Sequence, residues 1–352
     1  MDDRLSRWLV AISFTASLIG GAMAQGEPVL PEHVTEDHAS AVERGLRFLS
    51  QAQASNGSFV GTRDGSHFSV AMAGLAGMAF LAHGDTSSRG EHADEIKKIQ
   101  RYLMASARKS GLITSSNDDA GVPMFGHGFA LLFLATAYGM ENDREVRDSM
   151  SEVIRRGISL TAKGQSSLGG WMYYPGGGDE GSVTITQMQA LRACHGAGFL
   201  VPDKTVRNAI RYLERCKTKD GGIRYSYSSG PQTAVPITCA AVATLYNAGD
   251  YESDLAKSCL ALVRQEFRDM KQWGGGRIGG HSFYANLYAA QAFYQAGDEA
   301  WDEYFPRFSR MLLKKQQGDG SWEGDGVGQV FGTACALIIL QLPRKLLPIY
   351  QR

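Results

Sequence analysis

Residues 206–250 read VRNAIRYLERCKTKDGGIRYSYSSGPQTAVPITCAAVATLYNAGD. Val206, Ala209, Ile210, Leu213 and Cys216 fall at i, i+3, i+4, i+7 and i+10, with Arg207, Asn208, Arg211 and Glu214 between them. That is one apolar stripe on an otherwise polar helix, which covers a core with one face and meets water with the other. Gly221-Gly222 follows, where a chain that stops and reverses needs positive φ. Val235 to Ala248 is then apolar nearly all round, so protein must surround it. Gly249 stops this second helix, and Asp250 can cap the next.

The same unit recurs about every 50 residues along the chain, a repeat architecture. One-sided stripes appear at Val42, Leu46, Leu49, then at Ile96, Ile99, Leu103, and at Val146, Met150, Val153, Ile154. Leu255, Leu262 and Val263 continue the series, and Trp301, Tyr304, Phe305, Phe308 and Leu312 close it. Glycine turns follow at Asn56-Gly57, Gly111, Gly169-Gly170, Gly274 to Gly276 and Gly318 to Gly320. Apolar helices are expected over Val70 to Ala82, Phe129 to Tyr138, Met188 to Ala197, Ala285 to Ala296 and Val330 to Leu342. The expected fold is all-α: one closed (α/α)6 toroid of six helix-pair repeats, with apolar helices inside and amphipathic ones outside. An open solenoid would carry polar, atypical terminal repeats, whereas Val330 to Leu342 is as apolar as any.

The 352 residues are 43% hydrophobic and balance 36 Lys and Arg against 36 Asp and Glu. Neither a nucleic-acid footprint nor a polybasic membrane anchor is supported. Length alone suggests two domains; the repeat makes residues 39–352 one. Arg4 and Arg7 precede an apolar run from Trp8 to Ile19, and Ala22-Met23-Ala24 offers a cleavage site. Residues 1–24 therefore read as a secretory signal, residues 25–38 as a linker, and the protein as exported to the periplasm or beyond. No later segment reads as a transmembrane anchor. Cys194, Cys216, Cys239, Cys259 and Cys335 are odd in number and fit no metal-binding spacing, so they read as buried thiols.

Arg44-Gly45-Leu46-Arg47-Phe48-Leu49, Gln51 and Asn56-Gly57-Ser58-Phe59 resemble the Gln-Trp repeat motif of squalene and oxidosqualene cyclases. Leu312-Leu313, Gln316-Gln317 and Gly318-Asp319-Gly320-Ser321-Trp322 form a closer copy; Gly169-Gly170-Trp171 and Asp220-Gly221-Gly222-Ile223 are partial ones. The resemblance spans the chain after its leader and implies the toroid shared with prenyltransferase β-subunits. It implies prenyl transfer or terpenoid cyclisation if the protein is an enzyme. The cyclases' Asp-x-Asp-Asp and Asp-Cys-Thr-Ala motifs do not occur. His281 resembles the zinc-binding His of protein prenyltransferases, and Cys239 lies near their cysteine, but position 237 is Ile where the carboxylate belongs.

In a double ring the inner helices are parallel, so their N-termini gather at one mouth. The turns expected there carry His67, Asp118, Asp119, His127, Asp179, Glu180, Gln232, His281 and Asp325. Free N–H groups at such ends favour anions such as a diphosphate. Asp179, Glu180, His281 and His127 are the candidate acids and bases. Trp171, Tyr173, Tyr174, Tyr225, Gln232, Trp322 and Asp325 are candidate ligand-lining residues; the tryptophans equally read as packing between repeats. His67, His127 and His281 are candidate zinc ligands, or equally caps of inner helices. Asp118-Asp119 also reads as a solvated turn, and Asp179 and Glu180 as caps. The residues assign no cofactor, zinc and magnesium both staying open, nor an oligomeric state. The expected partner is an isoprenoid-like or other apolar small molecule. A carbohydrate-active (α/α)6 enzyme and a non-catalytic binding or scaffold protein are the alternatives.

Overall fold

The one-sided helices form the outside of the molecule. In the computed structural model, which describes residues 30–59, 68–115 and 121–351, they are α1 (Glu36–Ala52), α3 (Ala93–Ala105), α5 (Arg144–Lys163), α7 (Asp203–Arg215), α9 (Asp254–Asp269) and α11 (Asp298–Leu313). Each buries mainly its apolar stripe, as α5 does with Met150, Val153 and Ile154. Between them run α2 (Ser69–His83), α4 (Pro123–Tyr138), α6 (Gly181–Gly196), α8 (Val235–Asn247), α10 (Ser282–Ala296) and α12 (Gln329–Gln341). These are buried on nearly every side, as a helix without a polar face must be.

The ring closes. The inner helices pack in succession, α2 on α4, then α6, α8, α10 and α12, and α12 returns to α2. Outside, α1 packs on α11 and α12. The seam joining the last repeat to the first is stitched with polar contacts. The Gln316 amide donates to the carbonyls of Ala41 and Gly320, both at 2.9 Å, and Gln341 of α12 donates to Ala79 of α2 at 3.0 Å. Gly320 has φ 89°, and a methyl group there would stand 2.5 Å from the Arg44 carbonyl oxygen of α1. Gly57 repeats this seat against Lys98 of α3, at 2.2 Å. Gly320→Ala is therefore expected to lower stability by about 1–3 kcal/mol, from left-handed backbone and a clash at the seam. Urea unfolding of the variant checks it; an unchanged midpoint would contradict the close seat.

Three inner helices begin earlier than their apolar runs suggest: α4 at Pro123, α6 at Gly181 and α10 at Ser282. Their first turns contain Gly, His, Ser and Thr, which resemble turn residues in sequence. In α6 the hydroxyls of Thr184 and Thr186 donate to the Glu180 and Ser182 carbonyls, so these polar groups bond within the helix instead of breaking it. The five cysteines are buried and unpaired. No described helix is long and apolar enough to cross a membrane. Residues 1–24, the first five residues of the 25–38 linker, His67, Asp118 and Asp119 lie outside the described residues; the linker is shorter than expected, because α1 already starts at Glu36.

The end of the ring opposite the mouth is filled. After α12 the chain crosses beneath the inner helices, burying Leu342, Leu347, Ile349 and Tyr350, and its turn at Pro348–Tyr350 reaches α6. Arg344 donates to the His83 carbonyl at the end of α2. Higher in the lumen, Gln189 of α6 donates to Gln291 of α10 at 2.6 Å. Both side chains are buried, and together they bridge two inner helices that are not neighbours in the ring.

Candidate ligand cavity at the mouth of the ring

A cavity of about 580 Å³ occupies the lumen at the N-terminal end of the inner helices. Every inner helix contributes to it from its first turns: Met72 from α2, Phe129 from α4, Ser182 from α6, Ile237 from α8, Tyr284 from α10 and Phe331 from α12. Phe68, Leu75 and Phe125 extend an apolar wall. Among the described residues the polar lining consists of Tyr173, Tyr225, Ser182, Tyr284, Arg277, His281 and Asp325.

The loops that carry these groups are tied to helix ends. The carbonyl of Tyr173 accepts from Met124 N–H at 3.1 Å, and that of Tyr225 accepts from Gly181 N–H at 2.8 Å. Each mouth loop thus caps the inner helix of the repeat before it. In the last repeat a carboxylate does this work. Asp325 Oδ2 accepts from Phe283 N–H at 2.7 Å and Tyr284 N–H at 3.0 Å, at the start of α10. Asp325 sits between two glycines with φ 46°, a left-handed backbone that Asp tolerates better than most side chains. Burial pushes its carboxyl above the ordinary range, partly offset by those N–H groups and by nearby His281. The hydroxyls of Tyr173 and Tyr225 hydrogen-bond to each other.

Arg277 lies in the glycine-rich connection between α9 and α10. It donates to Glu266 at 2.9 Å and to Asp220 at 3.0 Å. Asp220, which also accepts from Thr218 at 2.6 Å, is held below the usual carboxylate range by Thr218 and Thr233 first and by Arg277 after them. The guanidinium on the cavity wall is thereby engaged by two carboxylates.

The structure places the expected site residues in different surroundings. Tyr173, Tyr225, His281 and Asp325 line the cavity. Trp171 and Trp322 do not: both are fully buried. Their indole N–H groups donate to Thr161 at 2.7 Å and Leu312 at 2.8 Å, carbonyls of the outer helices that precede them. Trp322 fills the space beside Gly45 of the first repeat, so these rings pack repeats together. Tyr174 and Gln232 are exposed and outside the cavity lining.

Glu180 is fully buried at the N-cap of α6, where its carboxylate accepts from Ser182 N–H, Ser182 Oγ and Val183 N–H. Burial raises its pKa against those bonds. This is the geometry of a cap. Asp179 lies half-buried near the Tyr212 hydroxyl and does not line the cavity.

His127 is not at the mouth. It sits in the second turn of α4 with no exposed surface. Nδ1 accepts from Ile113 N–H at 3.2 Å, and Nε2 pairs with Thr161 Oγ1 at 2.9 Å. Burial lowers its pKa from 6.5 to about 4, a neutral imidazole used as a core connector. It is not brought together with His281. Among the described residues a three-ligand group that could hold a metal forms elsewhere, from Glu32, His33 and Asp302 at the surface.

Sequence reasoning missed Arg277, Ile278, Tyr284 and the cluster Phe68, Phe125, Phe129 and Phe331. A signal existed: large aromatics stand at the starts of helices otherwise rich in Ala and Gly.

No protein-family profile matches the chain, and no curated protein sequence is similar to it. Solved structures are similar in shape. A GH76 α-1,6-mannanase from Salegentibacter, in complex with α-1,6-mannotriose, superposes with a TM-score of 0.61 at 13% identity, covering 88% of this chain and 99% of that one. The type II terpene cyclase MstE from Scytonema, in complex with geranylgeranyl dihydroxybenzoate, gives 0.60 at 12% identity, covering 88% and 98%. A protein from Actinoplanes gives 0.55 at 16% identity, covering 88% and 99%. The fold is the (α/α)6 toroid. At such identities the likeness is one of architecture, and toroids of this build carry both glycan and terpenoid chemistry.

Proposed function

We propose that this toroid binds an isoprenoid-like or similarly apolar small molecule in its central cavity, as an exported protein released from the leader read in residues 1–24. The observation that carries the reading is the lining: aromatic and aliphatic side chains from five of the six inner helices, with Ser182 from α6, around about 580 Å³. That volume lies within the roughly 300–1,000 Å³ of small-molecule pockets, which are mostly apolar with a few placed polar groups. Hydrolysis of a glycan calls for two carboxyl groups flanking the bond. The described lining is mostly apolar, with Asp325 as its one carboxylate, and that apolar wall favours the apolar ligand over the sugar; Asp118 and Asp119 lie outside the described residues.

Ala234 lines the cavity just before α8, and Ala234→Trp would put an indole into it. The test is displacement of an apolar fluorescent probe, N-phenyl-1-naphthylamine, by farnesol. The wild type is expected to bind probe and release it to farnesol, and Ala234→Trp to lose at least tenfold in affinity at unchanged melting temperature. Equal binding by a folded Ala234→Trp variant would overturn the cavity as the site.

A further inference from the structure

Several helix ends at the mouth of the ring, which bare would attract an anion, have their donors already occupied. Free N–H groups at helix N-termini make anion sites, but at α4, α6 and α10 the protein's own groups take first-turn donors. At α10 the Asp325 carboxylate holds two N–H groups. At α6 the Glu180 carboxylate holds two more, and Gly181 N–H is bonded to Tyr225. At α4 the first residue is Pro123, which has no N–H, and Met124 N–H is bonded to Tyr173. Pro236 removes a donor from the first turn of α8. The lining cation Arg277 is bracketed by Glu266 and Asp220.

Beside the lining hydroxyls of Tyr173, Tyr225, Ser182 and Tyr284, which can donate or accept, Asp325 is the one carboxylate among the described lining residues. A carboxylate offers about four lone-pair sites; at Asp325 the Phe283 and Tyr284 N–H groups take two, both on Oδ2, and the Ser282 N–H also bears on it. In an apolar enclosure an underused carboxylate oxygen favours a partner that donates a hydrogen bond and disfavours another negative charge.

Accepting the apolar-ligand reading above, we infer that the polar end of the ligand is a hydrogen-bond donor, a hydroxyl or an amine, held by Asp325, and not a phosphate or diphosphate. Asp325 is then the residue that sets headgroup specificity, while the aromatic wall accepts the hydrocarbon.

The test compares four probes sharing one hydrocarbon: farnesene, farnesol, farnesylamine and farnesyl diphosphate. Dissociation constants are measured by calorimetry on the intact protein and on Asp325→Asn. The alcohol or the amine is expected to bind about tenfold or more tighter than the hydrocarbon, the worth of a hydrogen bond to a charged group, with the amine leading if the headgroup is cationic. The diphosphate is expected to bind more weakly than the alcohol. Asp325→Asn should bring alcohol and amine toward the farnesene affinity while leaving farnesene itself unchanged, which also verifies that the variant is folded. Preference for the diphosphate, or an unchanged alcohol-to-hydrocarbon ratio in Asp325→Asn, would overturn the inference while farnesene binding still upholds the cavity. If a folded protein binds none of the four, the apolar-ligand reading falls and this one falls with it.

Discussion

Trp322→Ala is expected to destabilise the protein by about 3–5 kcal/mol, the cost of emptying a fully buried aromatic site. The indole is completely enclosed and donates to the Leu312 carbonyl at 2.8 Å. Its ring also touches the space of Gly45, where a methyl group would meet Trp322 Cζ3 at 2.9 Å. The substitution therefore removes packing within the last repeat and across the seam to the first. Urea unfolding measures the loss. Because the ring has no surface in the cavity, affinity for a cavity ligand should change little while the variant stays folded. Lost ligand binding without lost stability would return Trp322 to the lining role.

The second large effect is acid sensitivity traced to His127. Its pKa is depressed from 6.5 to about 4 by burial, so the unfolded chain takes up this proton more readily than the folded one. The neutral imidazole therefore contributes its full stabilisation above pH 6.5, and the contribution is lost as the pH falls toward 4. At about 1.4 kcal/mol per pH unit the loss reaches roughly 3 kcal/mol. Glu180 and Asp325, lifted by burial, act with the opposite sign: their contribution is present at low pH and lost as the pH rises through their folded values. The informative quantity is thus the difference between wild type and His127→Gln at each pH. Glutamine can still accept from Ile113 N–H and donate to Thr161. The wild type should lose its advantage over the variant between pH 6.5 and 4; a constant difference would contradict a neutral, buried His127.

The architecture was legible because it rests on patterns that burial enforces. Val206, Ala209, Ile210 and Leu213 mark a helix with one covered face, and Val330 to Leu342 marks a terminal helix with no solvent side, which is why closure could be expected. Both follow from the apolar area that each helix must bury. The inner helix starts were harder. Gly126, His127 and Gly128 resemble a turn, yet they lie within α4 because glycine lets its neighbours approach and the histidine satisfies groups on two other segments.

The candidate site was legible in part. Tyr173, Tyr225, His281 and Asp325 follow from the rule that the mouth collects the outer-to-inner turns, and all four line the cavity. Residue type alone did not separate them from Glu180, Trp171 or Trp322. Whether a capping carboxylate also faces the lumen, as Asp325 does and Glu180 does not, depends on one or two backbone torsions, and whether an indole lines or packs depends on which side of a turn it leaves. Arg277 was hidden among glycines whose φ values decide the path of the α9–α10 connection.

The most direct test of an apolar cavity within a closed ring is crystallographic: growth with a bromine-substituted farnesol and an anomalous difference map. The account predicts a bromine peak among Phe125, Phe129 and Phe331, with the hydroxyl end toward Asp325 and α12 packed on α2. Bromine confined to the outer helices, or a lumen shut by side chains with the ligand elsewhere, would contradict it.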